Sequence, residues 1–304
     1  MSRPVSESRL KGLLFLAITV LLWGLNWPAV KVLLHEWPPL FARGIAGVAA
    51  GFILAGIAKS RHESLRVPVR YLPRLAFAAF TNVFVWMGFG SLTMKYLPIS
   101  EASLLIYTMP IWTMLLAWPV AGIRPSIGGV IGLVLALAGL AVLFGGHDVS
   151  FDRDKLLGVA LALAAAILFA FGSVTARASI PLQPFAMAAW QVGLGCFPMI
   201  VLGLAFEHPN ITALSPHGAA LMLYMTFGPM ALAYVTWFAA LQRLQPMAAT
   251  TGSLGVPVVG VTAGALFLGD PFGLREVLAL LLTLGGVALA LRKPPPASPS
   301  SPAR

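Results

Sequence analysis

The feature that most constrains this chain is a succession of ten apolar stretches, each about as long as a lipid bilayer is thick. They run over 12–34, 39–58, 73–94, 99–120, 126–145, 156–176, 184–205, 217–241, 247–268 and 274–291. A hydrocarbon core of about 30 Å takes roughly 20 residues of helix to cross. Hydrocarbon also offers no partner to an unpaired backbone N–H or C=O, so each stretch is expected to be helical throughout. The fold class that follows is an all-α integral membrane protein with ten transmembrane helices. Only 10% of the residues are charged, against roughly 25% in soluble domains, so water could not solvate the folded surface and little chain remains for a soluble domain. The first stretch follows a short basic N-terminus. It is longer than a signal-peptide core and lacks a small-residue cleavage site, so it reads as an uncleaved first span.

The formal net charge of +10 would suggest nucleic acid in a soluble protein. Here the basic residues sit in short clusters between apolar runs, where they report topology and contact with anionic lipid. With ten spans and a cytoplasmic N-terminus, fourteen of the twenty Lys and Arg fall on the cytoplasmic side. Six fall outside: Lys31, Arg43, Lys95, Arg153, Lys155 and Arg275. That asymmetry favours both termini in the cytoplasm. Residues 292–304, rich in Pro and Ser, are expected to form a disordered cytoplasmic tail. The single cysteine, Cys196, allows no disulfide within one chain and no Cys-based metal site. No cofactor and no metal site is expected. The partners implied are the bilayer and a small-molecule substrate, without nucleic acid; a monomer is compatible with every feature.

The chain also repeats itself. A shift of 147 positions lays 96–144 over 243–291 without a gap and matches Pro110 with Pro257, Gly122 with Gly269 and Gly139 with Gly286. Pro39 and Pro184 each open the second helix of a half. The two units expected are 12–145 and 156–291, five spans each. An odd number of spans makes the second copy enter the membrane from the opposite side, so the halves are expected to be inverted around a shared cavity, a recurring plan of secondary transporters.

Particular residues carry a family resemblance. Trp23-Gly24-Leu25-Asn26-Trp27-Pro28 resembles the opening of an EamA-type half in the drug/metabolite transporter superfamily. So does the run from Tyr96 to Leu105 followed by Pro110, and in the second half Tyr234-Val235-Thr236-Trp237 followed by Leu244, Ala249 and Pro257. The resemblance covers the chain from the first span to the tenth. It implies ten helices in two inverted repeats, export of amino acids or similar metabolites, and location in the bacterial inner membrane. Within the superfamily the chain looks most like bacterial amino-acid exporters, including those for aromatic amino acids.

Polar groups deep in a span are costly unless paired or wetted, so they point to a solute path. Asn26, Asn82, Gln191 and Thr251, the last within the run Thr250 to Ser253, are of this kind. Hydrogen bonding between helices would account for them as well. Pro110 and Pro257 remove matched mid-helix hydrogen bonds, as expected of broken helices that gate a site or of simple packing kinks. Trp86, Tyr107, Phe169, Tyr234 and Trp237 offer mid-span rings for an apolar side chain or an ammonium. In the exporters resembled, the stretch before this proline carries cavity aromatics; Tyr107 fits, whereas Met109 departs from the pattern. Lys31 and Arg43 lie near outer helix ends, where snorkelling to the interface is expected.

The function class expected is a secondary transporter exporting amphipathic metabolites, amino acids above all. Another metabolite or drug class, such as a nucleobase or a cationic drug, is the alternative. An intramembrane enzyme would need an acid/base cluster, metal ligands or an activated nucleophile at depth, and the spans hold none. An ATP-driven pump would need a G-x-x-x-x-G-K-[ST] run, which the chain lacks.

Overall fold

The computed structural model describes residues 7–145, 152–175 and 180–291. The expected tail, 292–304, lies outside the described residues. The described residues form ten long helices, and no strand occurs among them. In chain order they are α1 (Glu7–Leu33), α2 (Pro39–Ser60), α3 (Val69–Thr93), α4 (Ile99–Ala121) and α5 (Ile127–Phe144) in the first half. The second half holds α6 (Arg153–Thr175), α7 (Pro184–Glu207), α8 (Pro216–Leu241), α9 (Ala248–Leu268) and α10 (Leu274–Ala290). Nine have at least 18 residues and enough apolar character to cross a membrane; α10, with 17 residues, rises roughly 26 Å and matches the hydrocarbon core. The first helix is already formed at Glu7, the first described residue, so its polar turn is helical ahead of the apolar run that starts at Gly12.

Side-chain caps show how the helices alternate. Glu207, at the end of α7, accepts from Leu40 N (3.2 Å) and Phe41 N (3.0 Å) in the first turn of α2. Glu63, just after α2, accepts from Ala186 N (2.8 Å) in the first turn of α7. Each helix therefore ends where the other begins. Carboxylates at a helix N-terminus satisfy orphan N–H groups and complement the positive end of the helix dipole. Since α2 and α7 hold the same place in the two halves, their antiparallel contact means that the halves are inverted.

The same relation holds at α5 and α10. A Cβ built on Gly139 would lie 2.8 Å from Thr283 N, and one on Gly286 would lie 2.8 Å from Ala136 N. A shift of 147 converts the first contact into the second, the reciprocity that a two-fold axis imposes. Close backbone approach through small residues is how helices gain packing energy in lipid. On α2 and α7 the small residues Gly44, Gly47 and Gly51 face Ile200, Cys196 and Gly193 in descending order, again antiparallel. Pairings between halves are exchanged in the same way: α1 packs on α8 and α9, while α6 packs on α3 and α4.

Two further matches of the repeat have a backbone cause. Gly122 ends α4 at φ +73° and Gly269 ends α9 at φ +69°. A left-handed residue just past a helix is most readily a glycine. The prolines fall just after two equivalent breaks. α4 is interrupted between Ile106 and Met109, and α9 between Gly252 and Gly255. At these points the bonds tighten to i−3, as in Thr108 N to Leu105 O (3.2 Å) and Leu254 N to Thr251 O (3.1 Å). In α3 the turn widens to π geometry over Phe80–Phe89, and in α8 over Gly228–Leu232. All four distorted segments face the middle of the molecule, where non-helical backbone is tolerated because it lines a cavity.

Candidate functional site

Between the halves lies a cavity of about 440 Å³, within the size range of small-molecule sites. Its wall takes residues from both halves at equivalent places. Asn82, Val83, Met87 and Met109 line it from the first half, and Pro229, Met230, Tyr234 and Val256, each 147 positions on, line it from the second. The distorted turns of α3 and α8 supply most of these, so the wide geometry turns their side chains toward the axis.

The cavity reaches from mid-molecule to the end that carries the N-terminus of α1. Its rim holds Ser173, in the last described turn of α6, and Thr250, in the first turns of α9, both exposed. The opposite, far end is packed shut. Leu33, Trp37, Leu97, Ile99, Leu105 and Ile106 are buried there. Two ion pairs cross between the halves at this end. Lys31 on α1 meets Asp270 after α9 (3.1 Å), and Lys155 on α6 meets Glu101 on α4 (2.9 Å). Asp270 also accepts from Ile99 N (3.0 Å), binding the start of α4 into the same junction. Lys31 is thus held by a carboxylate and does not snorkel. At this end, too, Glu36 accepts from Ser215 N and Oγ (both 2.7 Å) at the start of α8; the Ser215 hydrogen bonds hold its carboxyl below the ordinary carboxylate range.

Nine of the ten residues singled out in the sequence line this one cavity: Asn26, Asn82, Trp86, Tyr107, Met109, Phe169, Gln191, Tyr234 and Trp237. Asn82 Nδ2 donates to Gln191 Oε1 (3.2 Å), so these two amides from opposite halves form a pair on the wall. Trp86 lies 5.8 Å from Tyr107 and 5.1 Å from Phe169, measured between ring centroids. Facing them, Trp23 lies 6.2 Å from Tyr234 and 5.6 Å from Trp237, and its Nε1 donates to Pro229 O (3.0 Å). Each aromatic cluster joins the two halves, and the amides sit beside them.

Thr251 is the exception. It faces outward, into a groove between α9 and α10 lined by Val258, Phe272 and Leu281, whereas its neighbours Thr250 and Ser253 line the cavity. Successive helical residues are about 100° apart, so a short run of hydroxyl residues covers more than one face. Pro110 and Pro257 do not line the cavity; they sit at the starts of the second segments of α4 and α9, just beyond the breaks.

Arg43 is the residue that the sequence reading misplaced. Expected to snorkel, it is only 8% exposed and lines the cavity. Its Nε donates to Ser91 Oγ (3.3 Å) and its Nη1 to Asn26 Oδ1 (3.5 Å). Bonds to α1 and to the last turn of α3 thus hold the guanidinium inward, away from the interface. Among the described residues no cluster of three His, Cys, Asp or Glu is arranged to hold a metal ion.

The sequence signature of the EamA-like transporter family matches residues 10–145 and 156–292, one copy per half. The transporter YvbV of Bacillus subtilis (strain 168) is 27% identical over 285 residues, covering 92% of this chain and 91% of its own. A protein of Escherichia coli (strain K12) named as a probable amino-acid metabolite efflux pump is 27% identical over 288 residues, covering 91% of this chain and 94% of its own. A solved crystal structure shares the fold at a TM-score of 0.67 and 20% identity, covering 95% of this chain and 97% of that one.

Proposed function

The chain belongs to the EamA-like transporter family, and on that premise we propose that it exports small amphipathic metabolites as a secondary carrier. The substrates of this reading are amino acids, taken with broad selectivity and including aromatic ones. It further places the protein in a bacterial inner membrane with both termini in the cytoplasm. The observation that carries it is the cavity between inverted halves, open at one end, shut at the other, and walled by amides and two aromatic clusters. The relatives named as amino-acid metabolite efflux pumps support the same class of solute.

In this reading the open end faces the cytoplasm, so the structure is the loading state of an exporter. Asn26, Asn82 and Gln191 replace part of the water that a zwitterion leaves behind. Trp86, Tyr107, Met109 and Phe169 take the solute's side chain from one wall, and Tyr234 and Trp237 from the other, at little polar cost. Release requires the far end to part as the near end closes. The breaks before Pro110 and Pro257 let the two segments of α4 and of α9 swing separately, so each half bends at an equivalent point. Other transporter families meet the same requirement with discontinuous helices at mid-membrane.

The test is counterflow in liposomes loaded with each of the twenty common amino acids. Exchange of labelled solute by the parent protein is expected, with Tyr107→Ala and Asn82→Ala impaired while they still insert and fold. Inert vesicles across the whole panel would count against the amino-acid reading. Normal exchange by both variants would remove these residues from the solute path.

A further inference from the structure

We propose that Arg43 is the carboxylate anchor of the central cavity, so the solutes recognised there are monocarboxylates with an apolar body, whether or not they carry an amino group. The inference rests on the carrier reading above and narrows its substrate class to one chemical group.

A guanidinium keeps its charge at any ordinary pH, and a buried charge without a partner is strongly unfavourable. Four ion pairs occur among the described residues, and Arg43 belongs to none of them. The contrast lies within one end of the molecule, for Lys31 and Lys155 each hold a carboxylate of the other half. Arg43 has only two neutral oxygens, at 3.3 and 3.5 Å, both at the long limit for hydrogen bonds. Five N–H donors are available, so at least three are unused by side chains.

The rest of the wall sharpens the choice of ligand. Among the described residues that line the cavity, Arg43 alone is charged, and none is Asp or Glu. The described lining of the second half supplies no opposing charge either: with Pro39 and Pro184 in register, the place of Arg43 is taken by Ala188. A net positive cavity disfavours cations and draws anions. One planar fork of donors matches one carboxylate in bidentate geometry. A phosphate ester, with up to two charges and three free oxygens, would call for more than this one cation. The aromatic clusters beside the anchor then receive the apolar body. The solute's ammonium meets no acidic partner among the described wall residues, so it adds little to recognition.

The test sets acids against their amides in liposomes that exchange labelled phenylalanine and leucine. 3-Phenylpropionate should compete with labelled phenylalanine, and phenylalaninamide and phenethylamine should compete about tenfold less well, the loss expected for a charged hydrogen-bonded pair. Arg43→Gln should weaken competition by the acid about tenfold and remove the difference between acid and amide, while Arg43→Lys should keep part of it. Without ligand, Arg43→Gln should melt no lower than the parent, because it removes an unpaired buried charge. A residue of purely structural importance would instead lower stability and leave the acid-to-amide ratio unchanged. Equal competition by acid and amide in the parent overturns the proposal, as does discrimination that survives Arg43→Gln. If the parent exchanges no amino acid, the amino-acid reading fails by itself, and thermal stabilisation of the purified protein decides the anchor. Stabilisation by 3-phenylpropionate but not by its amide sustains it; none by either overturns it.

Discussion

Replacing Asp270 and Glu101 together by their amides is expected to unlock the far end of the molecule. Both carboxylates reach across from one half to the other, Asp270 to Lys31 and Glu101 to Lys155. Their side chains are 13% and 7% exposed, and those of the lysines 24% and 17%. Pairs so covered stand between two regimes. Exposed pairs contribute about 0–1 kcal/mol, whereas breaking a fully buried pair costs about 3–5 kcal/mol. An amide keeps one acceptor, so Asp270→Asn still receives Ile99 N and only the charge is lost. A net loss of about 1 kcal/mol per pair is reasonable on that basis, or about 2 kcal/mol for both, which changes the closed-to-open ratio roughly thirtyfold. The reporter is Ser103→Cys in a Cys196→Ala background. Ser103 is fully buried in the first segment of α4, next to the junction, and a cysteine there is nearly isosteric. A membrane-impermeant maleimide applied from the far side should label it slowly in the parent and roughly thirtyfold faster in the double amide variant. A labelling rate within about twofold of the parent would show that packing alone holds this end shut and that the ion pairs do not bias the two states.

Two smaller predictions follow from the same geometry. Gly286→Val should lower the melting midpoint, because its Cβ meets the backbone of α5 at 2.8 Å and overpacking of this kind costs about 1–3 kcal/mol. Gly139→Val should cost about as much, since the two-fold axis exchanges the contacts; unequal losses would argue against that axis. Asn82→Ala and Gln191→Ala should each impair exchange, and a double-mutant cycle on stability should give a coupling near 0.6 kcal/mol. Coupling in stability with exchange untouched would assign the pair to helix packing.

Much of the architecture was legible because lipid punishes ambiguity. Every crossing needs an unbroken apolar run, so ten runs meant ten helices, and an odd count per repeat meant inversion. The matched glycines were legible for different reasons than their spacing suggested. Gly122 and Gly269 are left-handed caps, while Gly139 and Gly286 are points of close approach between halves. The polar and aromatic residues that cluster on the wall had one thing in common in the sequence, a mid-span place where polarity is costly. Thr251 had the same place but the wrong face, and its helix showed too little periodicity to tell one face from another. The repeat itself held a signal left unread. Carrying the shift of 147 back from 96 to 82 pairs Asn82 with Pro229 and Met87 with Tyr234, all of them on the wall.

Arg43 was missed for a reason that applies to any helix end in such a fold. It is the fifth residue of α2, a depth from which a long side chain ordinarily reaches the interface. That inference assumes that the helix end itself is wet. Here the buried Trp37 packs against Phe41 in its first turn, Glu207 caps it, and Ser91 and Asn26 hold the guanidinium inward. Sequence depth measures distance along one helix, whereas the dielectric around a side chain depends on what its neighbours cover. The symmetry of the scaffold makes the point sharper. Equivalent positions build both walls, yet among the described residues the charge comes from the first half alone, with Ala188 in the corresponding place. Duplication supplies the hollow and its hinges in pairs, and a single unpaired substitution suffices to give the hollow a sign.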